Sequence, residues 1–298
     1  MNSSVRKLDQ WEQLNFLLTN RLPRHALTRF MGWFSRIENR WLARVSIALW
    51  QRFADDLRLD EAEQQQFNSL RACFIRRLRP GARPIDTRPN ILVSPCDAVI
   101  GECGEIRGRT VFQAKGYPYE LDELIPDPQI QQKYQDGVYV TLRLKSSMYH
   151  RFHAPVDCTI QQIEYVSGDT WNVNPPALKR IEKLYCRNER AVVPLVDTAT
   201  AGSVCLVPVA AILVASMQFH GLDEPLDLSY AGPNRIAISG QYSKGDEIGY
   251  FQHGSTIVLF ATKNFELLPG REPGVVIRMG EPLLSDSSTT PDALEAFL

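Results

Sequence analysis

The chain has 298 residues, 44% of them hydrophobic and 22% charged, with 33 Lys and Arg against 34 Asp and Glu. That length can bury a core without disulfide or metal staples, and the composition excludes disordered, collagen-like and coiled-coil chains. The net charge of -1 conceals a split: residues 1–80 carry 14 Lys and Arg against 8 Asp and Glu, a net +6, and residues 81–298 carry 19 against 26, a net -7. Such asymmetry points to a segment that meets an anionic surface.

Residues 1–80 read as helical. From Pro23 onward, Leu27, Phe30, Phe34, Ile37, Trp41, Val45 and Leu49 recur at three- and four-residue steps, with Arg29, Arg36 and Arg40 on the opposite face. Trp11, Trp33, Trp41 and Trp50 are four of the five tryptophans. Two readings stay open: helices packed on the domain with a solvated charged face, or a basic, Trp-rich segment lying in a membrane interface. No secretory signal is expected, because residues 1–20 lack an uninterrupted apolar run and a small-residue cleavage site.

Arg79–Pro84 contains Pro-Gly and a second Pro and ends the helical region. Short β-branched runs follow at Ile91–Val93, Val138–Leu144, Cys158–Ile160, Ala191–Val196 and Ser255–Phe260, separated by Gly, Pro, Asn and Asp. Leu121–Gln135 reads as one short helix. The uncharged stretch Ala199–His220 is Val-rich and interrupted by Pro208, which favours buried strands over a membrane-spanning helix. Ser285–Pro291 reads as a mobile tail. The expected fold class is α+β, a helical segment over residues 1–80 followed by a mostly antiparallel β-rich body over 81–298. The six cysteines (73, 96, 103, 158, 186 and 205) contain no C-x-x-C pair and are expected to be reduced, in a cytoplasmic setting.

Three places could carry chemistry. His150 and His153 lie in Tyr149-His-Arg-Phe-His-Ala-Pro155; acid–base work suits them better than metal binding, since no local spacing supplies further ligands. Ser255 follows Gly254, and a serine hydroxyl can attack the preceding carbonyl, turning the amide into an ester; the small glycine leaves that approach open. Asp97, in Ser94-Pro-Cys-Asp97, reads by itself as an Asx-turn residue at a strand end.

In order along the chain these elements form a pattern. Phe74–Ile85, Ser94–Asp97, Gln113–Gly116, Tyr149–Pro155, Asn172–Asn174, Asn188–Arg190, Lys244–Phe251 and Gly254–Thr256 together resemble the phosphatidylserine decarboxylase family, pyruvoyl enzymes made as self-cleaving proenzymes. The likeness runs from about Phe74 to Pro282 and is weaker in the helical N-terminus.

The resemblance implies cleavage of the Gly254–Ser255 bond into a β chain, 1–254, and an α chain, 255–298. It implies that Ser255 is the nucleophile and the source of a covalent pyruvoyl cofactor, that His153 is its base, and that Asp97 orients His153 as in a Ser-His-Asp triad. His150 would donate a proton during decarboxylation, and no metal is expected. The pyruvoyl group would form a Schiff base with phosphatidylserine, releasing carbon dioxide and phosphatidylethanolamine. Implied partners are phosphatidylserine, anionic membrane lipid, the second chain of the same precursor and a second copy in a homodimer, with no nucleic acid. The implied location is peripheral, on the cytoplasmic side of a bacterial inner membrane.

Three residues depart from the family pattern: His253 before Gly254, and Ala98 and Cys158 where glycine is common; a positive φ at either of the last two would strain the turn. Alternative readings are a pyruvoyl decarboxylase of another serine headgroup lipid or a free amino acid, a serine hydrolase using Ser255, His153 and Asp97, and a non-catalytic β-rich binding domain.

Overall fold

β-Branched and aromatic runs build four sheets among the described residues, behind two amphipathic helices. The structure, a computed structural model, describes residues 24–54, 57–113, 117–198, 202–212, 216–252 and 255–288. Trp11, Pro23, Lys115, His253 and Gly254 lie outside the described residues.

The largest sheet is antiparallel and has eight strands, ordered Arg235–Tyr242, Cys158–Val166, Arg190–Asp197, Ser203–Ala210, Ser255–Ala261, Val138–Leu144, Ala98–Glu105 and Val276–Ile277. A four-stranded sheet (Leu226–Asp227, Ser216–Phe219, Glu247–Phe251, Arg151–His153) packs on one face. There Ile257, Leu259 and Ala261 share a core with Phe152, Phe219 and Phe251. On the other face Val258 and Phe260 pack with Tyr119, Tyr134 and Tyr185. Every residue of Ser255–Ala261 is therefore buried, which is why this strand is a continuous apolar run rather than an alternating one.

The α+β expectation holds, with several corrections. The stretch Ala199–His220 contains the strands Ser203–Ala210 and Ser216–Phe219, with Pro208 opposite Ile257. Leu121–Gln135 is two helices, Leu121–Leu124 and Pro128–Tyr134. Pro126 and Pro128 each restrict the residue before them to extended backbone, and Asp127 caps the second helix by accepting from the Gln129 amide. Part of the expected tail is strand: Pro282–Asp286 pairs with both Ile91–Val93 and Phe265–Leu267. Ala98 and Cys158 both begin strands and neither has positive φ, so their side chains introduce no backbone strain. All six cysteines are free.

The N-terminal helices are α1 (Arg24–Ser35) and α2 (Arg40–Phe53). The apolar stripe read as continuous is broken between them, where Asn39 caps α2 by accepting from the Leu42 amide. The side of α2 that packs inward is narrow, Ala43 and Ile47 with Trp50 stacked on Phe74. Trp41, Val45, Leu49 and Phe53 face solvent, Trp41 at 73% and Phe53 at 84% exposure, as do Phe30 and Trp33 of α1. No helix among the described residues is long and apolar enough to cross a membrane.

After α2 the chain is stitched to the β body. Buried Arg76 donates to the Leu57 and Ser147 carbonyls, and Arg151 donates to the Ile75 and Arg76 carbonyls while pairing with Glu247 at 2.5 Å. Residues 57–80 thus pack directly against the segment that carries the two histidines.

The close fit of the sheets is testable at Gly249, in the Lys244–Phe251 stretch. A Cβ there would collide with the Gln218 carbonyl and lie 2.7 Å from the Phe152 ring. Gly249→Ala is expected to destabilise the chain by about 1–3 kcal/mol; a urea midpoint equal to that of the parent would contradict this packing.

Candidate active site

Ser255 opens the central strand, opposite Leu144 on one side and Ala210 on the other. Its Oγ is buried and has no hydrogen-bond partner among the described residues. A hydroxyl held out of water without a partner is costly, and the one here sits beside the bond singled out in the sequence. It borders a cavity of about 440 Å³ whose walls include Phe53, Phe74, Arg143, Lys145 and Asn172.

The histidines reach this region because of register. The Val138–Leu144 strand runs antiparallel to Ser255–Ala261 and ends opposite Ser255. The chain then turns through Lys145–Met148 into the Arg151–His153 strand. The His150 ring is fully buried, 4.0 Å from the Phe74 ring centroid, and its Nδ1 donates to the Met148 carbonyl. Phe74 itself lines the Ser255 cavity.

His153 is held on both ring nitrogens. Nδ1 donates to the Gly245 carbonyl at 2.8 Å, and Nε2 accepts from the Tyr149 hydroxyl at 3.0 Å. Gly245 takes a positive φ of 92°, a conformation glycine adopts freely. Burial lowers the pKa of His153, partly offset by its bond to Gly245 and the field of Glu247. The ring is therefore neutral at neutral pH, with the basic lone pair on Nε2.

Asp97 is also buried, but its oxygens are engaged elsewhere. Arg83 binds them in a fork at 2.8 and 2.5 Å, and the Met279 amide donates to Oδ1 at 2.9 Å. Burial opposes the Arg83 cation, yet its bonds to Asp97 and Glu61 raise its pKa above the ordinary value. Asp97 lines a smaller cavity of about 140 Å³ with Tyr149, Arg76 and Arg83, and Lys145 and Ser147 border both cavities. The His153 amide donates to the Pro95 carbonyl, so the Ser94–Asp97 turn and the imidazole are tied through backbone. No hydrogen bond joins Asp97, His153 and Ser255 to one another among the described residues.

Reading the sequence did not assign Tyr149, Gly245 or Arg83. The signal available was their place in the matching stretches, where they sit beside the residues that were assigned. Two other matching residues shape the walls. Asn188 donates to the Ala210 carbonyl, opposite Ser255, and exchanges bonds with Trp171, fixing the loop that carries Asn172. Gln113 donates to the Leu178 and Ile181 carbonyls and accepts from the Leu184 amide. Among the described residues no group of three or more His, Cys, Asp or Glu is placed to hold a metal.

A family profile described as phosphatidylserine decarboxylase matches residues 70–285, and a second, described as PSD, matches residues 14–49. The chain belongs to the phosphatidylserine decarboxylase family. A phosphatidylserine decarboxylase proenzyme of Saccharophagus degradans is 32% identical over 284 residues, covering 91% of this chain and 96% of the relative. Proteins of the same name from Brevibacillus brevis and Yersinia enterocolitica are 32% and 33% identical, covering 89% and 91% of this chain and 95% of each relative.

The His153 environment carries its own test. Because burial disfavours the charged ring, an NMR titration of His153 should give a midpoint below 6.5. The unfolded chain then binds the proton more tightly, so this group's contribution to stability is lost as pH falls below 6.5. A midpoint above 6.5 would show a solvated or charge-paired imidazole instead.

Proposed function

We propose that this chain is the proenzyme of a membrane-associated phosphatidylserine decarboxylase, a carboxy-lyase that makes its own pyruvoyl group from Ser255. The observation that carries the reading is the buried Ser255 Oγ, without a hydrogen-bond partner among the described residues, beside a cavity bordered by an apolar, solvent-facing helix end.

In the processing step Ser255 Oγ attacks the Gly254 carbonyl carbon. The Gly254–Ser255 amide bond breaks and an ester forms, the serine proton passing through a base to the freed Ser255 amine. Elimination then expels the Gly254 carboxylate, and the dehydroalanine left at 255 takes up water and releases ammonia to give the pyruvoyl end. His153 is the base this reading assigns: its Nε2 carries the lone pair, and the Gly245 carbonyl fixes that tautomer. Tyr149 holds the same lone pair, so its hydroxyl must turn aside or pass the proton on. Asp97 acts on His153 through its field, since its oxygens are bound by Arg83 and Met279.

Ser255 fits the role of cofactor precursor, because its buried position keeps a reactive carbonyl from bulk water while the cavity leaves it open to substrate. A pyruvoyl group supplies a carbonyl that draws electrons from the α-carbon of a bound amine, which no side chain can do. His150, fixed by the Met148 carbonyl and the Phe74 ring one layer behind the cavity, is assigned to returning a proton to that carbon after carbon dioxide leaves.

The exposed stripe supports the interfacial reading of α1 and α2. Trp41, Val45, Leu49 and Phe53 follow one side of α2, and Phe53 itself lines the Ser255 cavity. Exposed Arg29, Arg36, Arg40, Arg44 and Arg52 flank them. An apolar ridge with flanking arginines suits a helix lying in an anionic interface and delivers the lipid headgroup-first. The bacterial inner membrane, cytoplasmic side, is the location this reading favours.

Intact mass of the purified protein should show two chains, 1–254 and 255–298, with the smaller blocked at its N-terminus. Ser255→Ala should remain one chain and release no carbon dioxide from phosphatidylserine; cleavage persisting in that variant would falsify the assignment. His150→Ala should cleave normally and lose most of its turnover. For the interface, Trp41→Ser with Phe53→Ser should weaken binding to phosphatidylserine-containing vesicles about tenfold or more, and added salt should weaken it further. Binding unchanged by both would remove α2 as the contact.

A further inference from the structure

The cavity beside Ser255 has a charge pattern that the reaction itself does not require. Among the described residues that line it are two cations, Arg143 and Lys145, and no Asp or Glu. Lys145 also borders the neighbouring cavity, where Glu61 and Asp97 lie. Arg143 belongs to the Ser255 cavity alone. It is half-buried, and its guanidinium makes no hydrogen bond or ion pair among the described residues. A partly desolvated arginine without an anion is an uncommon expense in a folded chain.

Its position is set by backbone. Arg143 stands opposite Thr256 in the register of the central sheet, one residue beyond Ser255. The two strands lie about 4.8 Å apart, and alternation sends the Arg143 side chain out on the Thr256 face, near Tyr185, from where it reaches the wall of the Ser255 cavity. Val99 flanks Arg143 on its other side.

We propose that Arg143 binds the phosphodiester of the lipid headgroup and so selects glycerophospho-linked serine over other amines. This rests on the decarboxylase reading above. The substrate offers two anions, a phosphodiester and a carboxylate, and only one suits this cation. A guanidinium held on the carboxylate would stabilise the ground state and lose that interaction as carbon dioxide leaves, raising the barrier. On the phosphodiester it binds substrate and transition state alike. The planar fork of arginine matches two phosphate oxygens, as an ammonium does not. The polar walls at Asn172 and Ser146 and the apolar rim at Phe53 then leave the acyl chains directed toward the exposed stripe.

The test compares the processed parent with Arg143→Gln and Arg143→Lys. With a short-chain phosphatidylserine, R143Q should raise KM about tenfold or more and leave kcat within a few-fold, with R143K between the two. As a readout independent of turnover, the 31P resonance of glycerophosphoethanolamine should broaden on titration with the parent and much less with R143Q. An unchanged KM, or a fall in kcat alone, overturns the assignment of Arg143. A parent that broadens the 31P line yet does not decarboxylate phosphatidylserine overturns the decarboxylase reading and leaves phosphodiester binding in place. If R143Q fails to cleave, the same titration on S255A and S255A/R143Q, both single chains, makes the comparison, and equal broadening in the two overturns the proposal.

Discussion

The fold depends on one constraint, that the strand Ser255–Ala261 be paired on both edges and covered on both faces. The partner on one edge ends opposite Ser255 and leads within nine residues to His153; the partner on the other is pinned at Ala210 by Asn188. The site therefore forms where two strand ends and a turn converge, and its residues are placed by register, with little left to loop flexibility. The same burial leaves the Ser255 hydroxyl without a hydrogen-bond partner among the described residues, while the backbone on both edges fixes its place.

Buried arginines are the second organising device, and they refine the charge arithmetic of the N-terminal segment. Arg76 is spent on the Leu57 and Ser147 carbonyls, and Arg58 pairs with Glu61. Arg29, Arg36, Arg40, Arg44 and Arg52, in and beside α1 and α2, stay exposed. In the β body, Arg83 and Arg151 join Asp97 and Glu247 to the segment that precedes them. Removing one member of such a pair strands the other, at a cost of about 3–5 kcal/mol. The Pro-Gly boundary near residue 80 thus divides composition more sharply than it divides packing.

The sequence made the strands legible wherever β-branched residues ran together, because a strand covered on both faces needs no polar alternation. Pro208 was enough to turn a long apolar stretch into sheet. The matching stretches brought Asp97, His150, His153 and Ser255 to notice, and all four are buried, Ser255 and Asp97 on two cavities that share Lys145 and Ser147. Their partners were not legible. Nothing in the order of residues says that Asp97 faces Arg83 or that His153 sits between Gly245 and Tyr149, since those are contacts between elements far apart in the chain. The apolar stripe was read correctly within α1 and α2 but not across Ile37 between them, and periodicity marks an apolar face without saying whether protein, solvent or lipid covers it. Here Ala43, Ile47 and Trp50 are the inner face, while Trp41, Val45, Leu49 and Phe53 point out.

The doubly paired strand has a consequence for the lifetime of the molecule. If the bond before Ser255 breaks as proposed, two polypeptides stay together through strand pairing in two sheets and contacts such as the Met279 amide on Asp97, in a register the intact chain set in advance. A processed molecule that unfolds loses the short connection from Gln252 that returned this strand to its slot, and two separate chains must find each other again. Folding and assembly are then no longer the same event. Such an enzyme is protected by the height of its unfolding barrier, and a processed population that crosses it is not expected to return.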